Sequence, residues 1–282
     1  MNKILSLLLV VIVSAGVAYS VGHHEKADAP SKKTVYERVI ESGVLRCGYL
    51  AEAPFTIIDP QTNKKSGIAV DLAEKIASEL NLKVEWVAEI NFGTFTEDLR
   101  NGRFDAVCAS LFTLPRGGRI DYTQPYAYVP VYGYVKKGRT DFDGRLDSMD
   151  WSGVTVAGLD GEGATTAARK KIPHAKFMIL PETAQIADML LSVVDRKADI
   201  GFVMPTVFKN FDATNPDKLQ RIQTSHPFYV FNVSFGVRSD EPAFKNMLDF
   251  EMRNLKSEGY IDALFEKYDP DHLLFRSQSL YQ

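Results

Sequence analysis

The two cysteines, Cys47 and Cys108, are the residues of this chain with the most distinctive chemistry. Each lies in an apolar, strand-like run, 44–47 and 105–108. In an oxidising compartment such a pair is a candidate disulfide. Because bridges between adjacent strands are often strained, the pattern favours two buried thiols on neighbouring strands, with the disulfide as the alternative.

Other patterns that carry chemistry are weak or missing. The turn 141–144 combines two aspartates with a glycine, as calcium loops do, but the remaining ligands of such a loop are not there. The sequence contains no nucleophile elbow, zinc pattern or phosphate loop. It therefore predicts no catalytic residue, no metal and no cofactor. A net charge of -3 argues against nucleic acid as a partner.

The N-terminal segment has the composition of a secretory signal. Lys3 precedes an apolar run over 4–13, and small residues follow up to Ser20. We expect 1–20 to be a signal peptide cleaved after Ser20 and 21–36 to be a flexible leader, which predicts a periplasmic protein. An uncleaved anchor is the alternative, although the apolar run is short for spanning a membrane.

Short strand-like runs alternate with longer helical runs from Val44 onward, which is typical of α/β proteins with mainly parallel strands. Within 67–82, apolar residues recur at every fourth position, so we expect a helix with one face packed on a sheet. A helix, a basic-x-Asp sequence and a strand follow one another twice, around 103–105 and 197–199. This repeat supports two similar lobes.

Two extended segments, 126–135 and 228–237, are candidates for crossovers between the lobes. After the second of them come an amphipathic helix closed by Gly259 and a shorter helix over 260–268. We expect this last part of the chain to return to the first lobe.

A series of short motifs shares its order and spacing with a known family. The most specific are Thr113-Leu114-Pro115-Arg116 and Asp121-Tyr122-Thr123-Gln124-Pro125-Tyr126. The others are Leu45-Arg46-Cys47-Gly48, Ala53-Pro54-Phe55, Gly67-Ile68-Ala69-Val70-Asp71-Leu72-Ala73, Gly102-Arg103-Phe104-Asp105-Ala106, Phe235-Gly236-Val237-Arg238 and Leu255-Lys256-Ser257-Glu258-Gly259-Tyr260. On these motifs nearly the whole mature chain resembles the family 3 extracellular solute-binding proteins, which serve amino-acid ABC importers.

The resemblance implies the type II periplasmic-binding fold, with two Rossmann-like α/β lobes joined by two extended hinge crossovers. On this basis 37–130 and 230–282 form the first lobe, and 131–229 forms the second. It also implies a monomeric, non-enzymatic protein that captures a small carboxylate-bearing solute, such as an amino acid, by hinge closure. The solute would then pass to an ABC permease in the inner membrane.

The resemblance assigns the anion clamp to Arg116, and the chemistry of arginine agrees with that role. A guanidinium offers a planar fork of donors to a carboxylate, and such a pair is strong inside a closing cleft. Thr113 would add a hydroxyl or an amide to the same anion. The alternatives are an exposed arginine at a helix start and, for Thr113, a helix cap.

Further ligand contacts are implied on both lobes. Phe55 and Phe92 occupy the positions of aromatic walls, although either could equally belong to the core. Gly161, Glu162 and Gly163 lie in a turn between a strand and a helix, where the resemblance places backbone amides against the ligand carboxylate. The two glycines permit a close approach.

Departures from the family pattern concern the other end of the ligand. Met204 stands where the family commonly has an aspartate for the α-ammonium, so either the ligand lacks that amine or another acid replaces the aspartate. Glu52 and Glu162 are the candidates, with solvated loop carboxylates as the alternative. Ser110 is kept as a hydroxyl contact, although the stretch 108–113 is one residue shorter than usual.

Two other functions stay open. Dehydratases that make aromatic amino acids share this fold, but they carry an acidic residue shortly after the position of Met204, where this chain has Pro205-Thr206-Val207-Phe208. A ligand-sensing module for a receptor would differ in its partner and not in its pocket. The sequence does not separate sensing from import.

Overall fold

Strands and helices alternate along the chain, as the sequence pattern predicts. The computed structural model describes residues 33–91, 93–112 and 118–276, and the elements below belong to one compact unit that begins at Val35. The first ten are α1 (Val35–Ser42), β1 (Val44–Tyr49), β2 (Ile57–Ile58), β3 (Lys65–Ser66), α2 (Ile68–Glu79), β4 (Lys83–Glu89), α3 (Phe95–Arg100), β5 (Ala106–Phe112), β6 (Ile120–Tyr122) and β7 (Ala127–Lys136). The later ones are β8 (Thr155–Leu159), α4 (Gly163–Lys171), β9 (Lys176–Leu180), α5 (Ile186–Val194), β10 (Ile200–Val203), α6 (Pro205–Thr214), β11 (Leu219–Arg221), β12 (Tyr229–Arg238), α7 (Pro242–Ser257), α8 (Tyr260–Tyr268) and β13 (Phe275–Arg276).

Helix α2 shows how the apolar repeat sets the packing. Ile68, Leu72 and Ile76 are fully buried, and the helix packs against β4 and β5. Gly67 precedes the helix with a φ of 122°, and a Cβ at this position would lie 2.4 Å from the Phe55 carbonyl oxygen. Only glycine fits there, so the helix start lies close against the loop after β1.

The sheet contains two parallel parts with the same internal order. Its strand order is β4-β1-β5-β12-β7-β10-β8-β9. Strands β4, β1 and β5 are parallel and form the first parallel unit. Strands β9, β8 and β10 are parallel and form the second parallel unit. In each unit the earliest strand lies at the centre and the second and third strands flank it, as in doubly wound sheets of the flavodoxin-like order.

Two long antiparallel strands, β7 and β12, connect the parallel units. Strand β7 pairs with β12 over 127–131 and with β10 over 132–135, while β12 goes on to pair with β5 from Val233. The two extended segments expected as crossovers are therefore these strands of 10 residues each. The lobe boundaries at 130/131 and 229/230 stay a prediction.

Each parallel unit carries an equivalent aspartate just before its third strand. The Asp105 N–H donates to the Arg46 carbonyl and its carboxylate accepts the Arg46 N–H, both at 2.8 Å. Asp199 makes the same pair of bonds with Thr155, at 2.7 and 2.8 Å. An arginine completes each arrangement, since Arg46 Nη2 lies 2.8 Å from Asp105 and Arg139 Nη1 lies 2.8 Å from Asp199. The basic-x-Asp repeat of the sequence thus marks a structural repeat.

Cys47 and Cys108 form a disulfide, so the expectation of two free thiols is wrong. Cys47 is in register with Ala106, which places Cys108 farther along the adjacent parallel strand on the same face. The Cα atoms of the two cysteines lie 5.4 Å apart, within the range that a disulfide spans. The sequence argument failed because it could not supply the register of the two strands.

The architecture is a mixed α/β sheet covered by helices, which confirms the predicted fold class. Helix α1 begins at Val35, slightly before the expected start of the first lobe at 37. The expected signal peptide, 1–20, lies outside the described residues. Within the described ranges, no helix has both the length and the apolar character needed to cross a membrane.

Candidate ligand-binding site

A cavity of about 560 Å³ lies at the carboxyl ends of strands from both parallel units. Its wall includes the loop 50–53 after β1, the end of β4, and the loops that follow β8, β9 and β10. Open α/β sheets bind their ligands at this edge. The volume is that of a pocket for a small molecule.

Glu52 lines the cavity from the loop after β1. Its backbone exchanges hydrogen bonds with Thr56 at 3.0 and 2.9 Å, which holds the loop in a tight turn. The half-buried Glu52 also acts on Tyr126: burial raises the pKa of the Tyr126 hydroxyl well above its ordinary value, and the charge of Glu52 adds to that rise. The structure therefore places Glu52 where the sequence expected it, and its contact with a ligand stays a prediction.

Glu162 caps the helix that was expected to receive the ligand carboxylate. Its Oε1 accepts the Ala164 N–H and its Oε2 accepts the Thr165 N–H, each at 2.7 Å. The Thr165 hydroxyl donates to Oε2 at 2.9 Å and accepts the Leu159 N–H at 3.0 Å. A Cβ at Gly158 would lie 2.7 Å from the Thr165 side chain, so glycine is needed where α4 meets β8. The result is a closed network that joins the end of β8 to the start of α4.

The amides of this turn therefore require a correction. Gly161 adopts a φ of 73° and Gly163 is the buried first residue of α4, so the glycines do shape a tight approach. The N–H groups of Ala164 and Thr165, which follow the two glycines, nevertheless already donate to the Glu162 carboxylate. Burial raises the pKa of Glu162, while the hydrogen bonds from Ala164 and Thr165 oppose that rise. Glu162 is neither a solvated loop residue nor a simple cleft residue, because it is a buried helix cap that also lines the cavity.

Met204 precedes helix α6 and also lines the cavity. It is 6% exposed, and Pro205 follows it as the first residue of the helix, where proline is well tolerated. Thr206 and Asn210 of the same helix add uncharged polar groups to the wall. A thioether offers no negative charge to a ligand amine, so any acid that binds an amine must come from another part of the wall.

Sequence reasoning missed two glutamates of the wall. Glu89 is the last residue of β4, and Glu182 follows β9. A Cβ at Gly93 would lie 3.0 Å from Glu182 Oε2, so Glu182 of the second parallel unit approaches the loop after β4 of the first. The sequence could have indicated both glutamates, because each stands at or just after the carboxyl end of a strand, where open α/β sheets bind their ligands.

The structure brings several expected ligand contacts to one cavity. They are Glu52, Glu162, Gly163 and Met204. Phe55 is a correction, because its ring is 1% exposed and packs edge-on against Tyr126 with 6.2 Å between centroids. It belongs to the core beneath α2 and not to the wall.

Four expected contacts are not covered by the described part of the chain. Phe92, Thr113 and Arg116 lie outside the described residues, and so does the side chain of Ser110. In the sequence, Thr113 and Arg116 follow directly after β5, which ends at Phe112. The anion clamp therefore stays a prediction.

The two aspartates of the 141–144 turn are engaged within the protein. Asp141 forms an ion pair with Arg139 at 3.0 Å, and Asp143 accepts the Gln223 N–H at 2.7 Å. Across the residues that the structure describes, no group of three or more potential metal ligands occurs.

Two Rossmann-like units, two long connecting strands and a small-molecule cavity at the carboxyl ends together define a two-lobed solute-binding protein. A sequence model of the bacterial extracellular solute-binding proteins, family 3, matches residues 45–270. The chain belongs to this family, as the motifs of the sequence predicted.

Known relatives include both binding proteins and an enzyme. The amino-acid-binding protein AabA of Dichelobacter nodosus is 25% identical over 224 residues, which cover 77% of this chain and 84% of that protein. The cyclohexadienyl dehydratase of Pseudomonas aeruginosa is 23% identical over 247 residues, which cover 86% of this chain and 88% of the enzyme. The crystal structure of an ancestral amino acid-binding protein, a precursor of cyclohexadienyl dehydratase, has a TM-score of 0.68 at 25% identity, covering 84% of this chain and 99% of that one.

Proposed function

We propose that the protein captures a small carboxylate-bearing solute, an amino acid or a close analogue, and delivers it to an ABC importer. The observation that carries this proposal is the cavity, whose wall is built from loops of both parallel units. The long strands β7 and β12 connect these units. A change of angle within the two strands would open or close the cavity, as capture by hinge closure requires.

Arg116 supplies the anion-binding part of the proposal. It follows β5, and the carboxyl end of β5 lies on the same edge of the first parallel unit as those of β1 and β4. A guanidinium that pairs with a carboxylate inside a closing cleft provides both affinity and orientation.

A thermal-shift screen of amino acids, deaminated acids and opines tests this function. A ligand at a hundred times its dissociation constant stabilises the folded state by about 2.7 kcal/mol and raises the Tm. We expect Arg116→Ala to abolish every such rise. The matched control is Arg119→Ala, which removes an exposed arginine paired with Glu97 at 3.0 Å and should leave the response intact. Ligands that bind best without a carboxylate, or normal binding by Arg116→Ala, would overturn the proposal.

We expect binding without catalysis. The dehydratase among the relatives and the raised pKa of Glu162 make an acid in the cleft worth testing. However, the Glu162 carboxylate accepts three hydrogen bonds from Ala164 and Thr165, which commit both of its oxygens to capping helix α4. Incubation with prephenate should yield no loss of water or carbon dioxide. Turnover that disappears in Glu162→Gln would favour the enzyme.

The proposed location is the periplasm. The family consists of extracellular solute-binding proteins, and 1–20 has the composition of a signal peptide. Removal of the signal peptide after Ser20 would release the mature protein. We expect this protein to be a monomer that meets its permease at the inner membrane. Mass spectrometry of the exported protein should find Val21 at its N-terminus.

A further inference from the structure

Carboxylates dominate the charge of the cavity wall. Glu52 and Glu89 come from the first parallel unit, whereas Glu162 and Glu182 come from the second. Among the described residues that line the cavity, none is a lysine, an arginine or a histidine. A cleft lined by charges of one sign concentrates ligands of the opposite sign.

Glu162 is the buried member of this group, with 7% of its surface exposed. The two oxygens of a carboxylate provide about four acceptor positions. Oε2 accepts hydrogen bonds from the Thr165 N–H and hydroxyl, while Oε1 accepts one from Ala164. Among the described residues only Ala164 donates to Oε1, so this oxygen keeps an acceptor position for a ligand donor, and Glu162 lines the cavity.

The same hydrogen bonds prevent the N-terminus of helix α4 from binding a ligand carboxylate. The N-terminal amides of a helix are a ready anion site, but those of Ala164 and Thr165 are already filled by Glu162. A ligand carboxylate at this place would have to break these bonds and would meet a negative charge. The anionic end of the ligand must therefore lie toward another part of the cavity.

We infer that Glu162 determines specificity by excluding a carboxylate from the second parallel unit and by binding the cationic side-chain group of the ligand, an ammonium or a guanidinium. Met204 supplies no charge at this side of the cavity, so a cationic side chain of the ligand must pair with a carboxylate from another part of the wall. Glu182 contributes the second carboxylate on this side of the cavity. Resting on the proposed function, the inference narrows the ligand to a basic amino acid or an analogue of one.

Isothermal titration with matched ligands tests this role. L-arginine and L-citrulline have nearly the same shape but differ in the charge of the side chain, and agmatine is arginine without its carboxylate. L-lysine and L-ornithine complete the basic set. We expect the wild-type protein to bind a basic ligand of this set, and L-arginine about tenfold or more tightly than L-citrulline.

Substitutions at Glu162 separate its charge from its role as a cap. Glu162→Gln removes the charge, and Glu162→Ser keeps a good helix cap. Both should lower the affinity for L-arginine by about tenfold or more and leave that for L-citrulline nearly unchanged. The matched control Asp160→Asn removes an exposed carboxylate of the same turn that does not line the cavity, and it should bind as wild type.

The outcomes distinguish this inference from the proposed function. Wild-type protein that binds L-citrulline or L-glutamate as tightly as the basic ligands, or that binds no basic ligand, overturns the inference alone. An arginine-to-citrulline ratio that is unchanged in both folded Glu162 variants also overturns it. Agmatine binding as tight as that of L-arginine would instead refute the carboxylate requirement of the proposed function and leave the role of Glu162 standing.

Discussion

The two parallel units follow one plan but are held together differently. Both connect their third strand to their central strand through an aspartate. In the first unit, the Asp105 side chain is fully buried and forms ion pairs with Arg38 and Arg46. In the second unit, the Asp199 side chain is 34% exposed and pairs with Arg139. The equivalent aspartate with its ion pair is therefore buried in the core of the first unit and partly exposed to solvent in the second.

The units also differ at the cavity and in their crosslinks. The first unit contains the disulfide, and its helix α2 begins after Gly67 with no side-chain cap. The second unit has no disulfide within the described residues, and its helix α4 begins with the Glu162 cap. The first unit is therefore tied together by a covalent bond, whereas the second begins its helix α4 with a carboxylate that lines the cavity.

Removal of the disulfide should have the largest effect on stability. The Cys47→Ala/Cys108→Ala variant removes a crosslink between residues that are 61 positions apart. In the loop-entropy model of disulfides, this loss lowers the free energy of unfolding by about 4 kcal/mol. Urea unfolding measures the loss, and hydrogen exchange locates it. Protection should fall more in β1 and β5 than in β8 and β9. Equal loss in both units would contradict the contrast drawn between them.

The aspartates should rank in the order of their burial. Asp105→Ala leaves Arg38 and Arg46 without their buried partner and should cost about 3 kcal/mol. Asp199→Ala removes a partly exposed pair and should cost about 1 kcal/mol. Urea unfolding of the two variants compares them directly. A larger loss for Asp199→Ala would show that solvation does not govern the difference.

Glu162 should give a smaller effect that depends on pH. Burial raises its pKa in the folded state, so the folded protein holds the proton more tightly than the unfolded chain does. The contribution of Glu162 to stability is therefore greatest below its unfolded pKa of about 4.3 and declines as the pH rises through the folded pKa. In the ligand-free protein, the unfolding free energy of wild type relative to Glu162→Gln should fall over this range. A constant or rising difference would contradict the burial argument.

Most of the fold was predictable from the sequence because the spacing of apolar residues and the glycines that end helices are local signals. Helix α5, strand β10 and helix α8 begin and end where the apolar runs do. The register between strands is not a local signal, so the bond between Cys47 and Cys108 could not be predicted. The same limit applies to Phe55, since the sequence does not say on which side of a loop an aromatic ring lies.

The site was predictable to the level of its position and less so in its contacts. The strand-turn-helix pattern at 159–165 predicted ligand contacts, and Leu159, Glu162 and Gly163 of this segment line the cavity. It did not show that Glu162 would fold back onto its own helix, because serine, threonine, aspartate and asparagine are the usual caps. Glu89 and Glu182 have no motif of their own and became visible only when the strand ends were placed together.

A crystal structure with L-arginine, or with the tightest basic ligand found, tests whether Glu162 binds the ligand cation. We expect Glu162 still to accept the Ala164 and Thr165 N–H groups, as it does at 2.7 Å here. A cationic nitrogen of the ligand should lie about 3 Å from Glu162 Oε1, with the ligand carboxylate turned toward Arg116. A ligand carboxylate bound to the Ala164 and Thr165 N–H groups, with Glu162 displaced, would show that Glu162 neither excludes the ligand carboxylate nor binds the ligand cation.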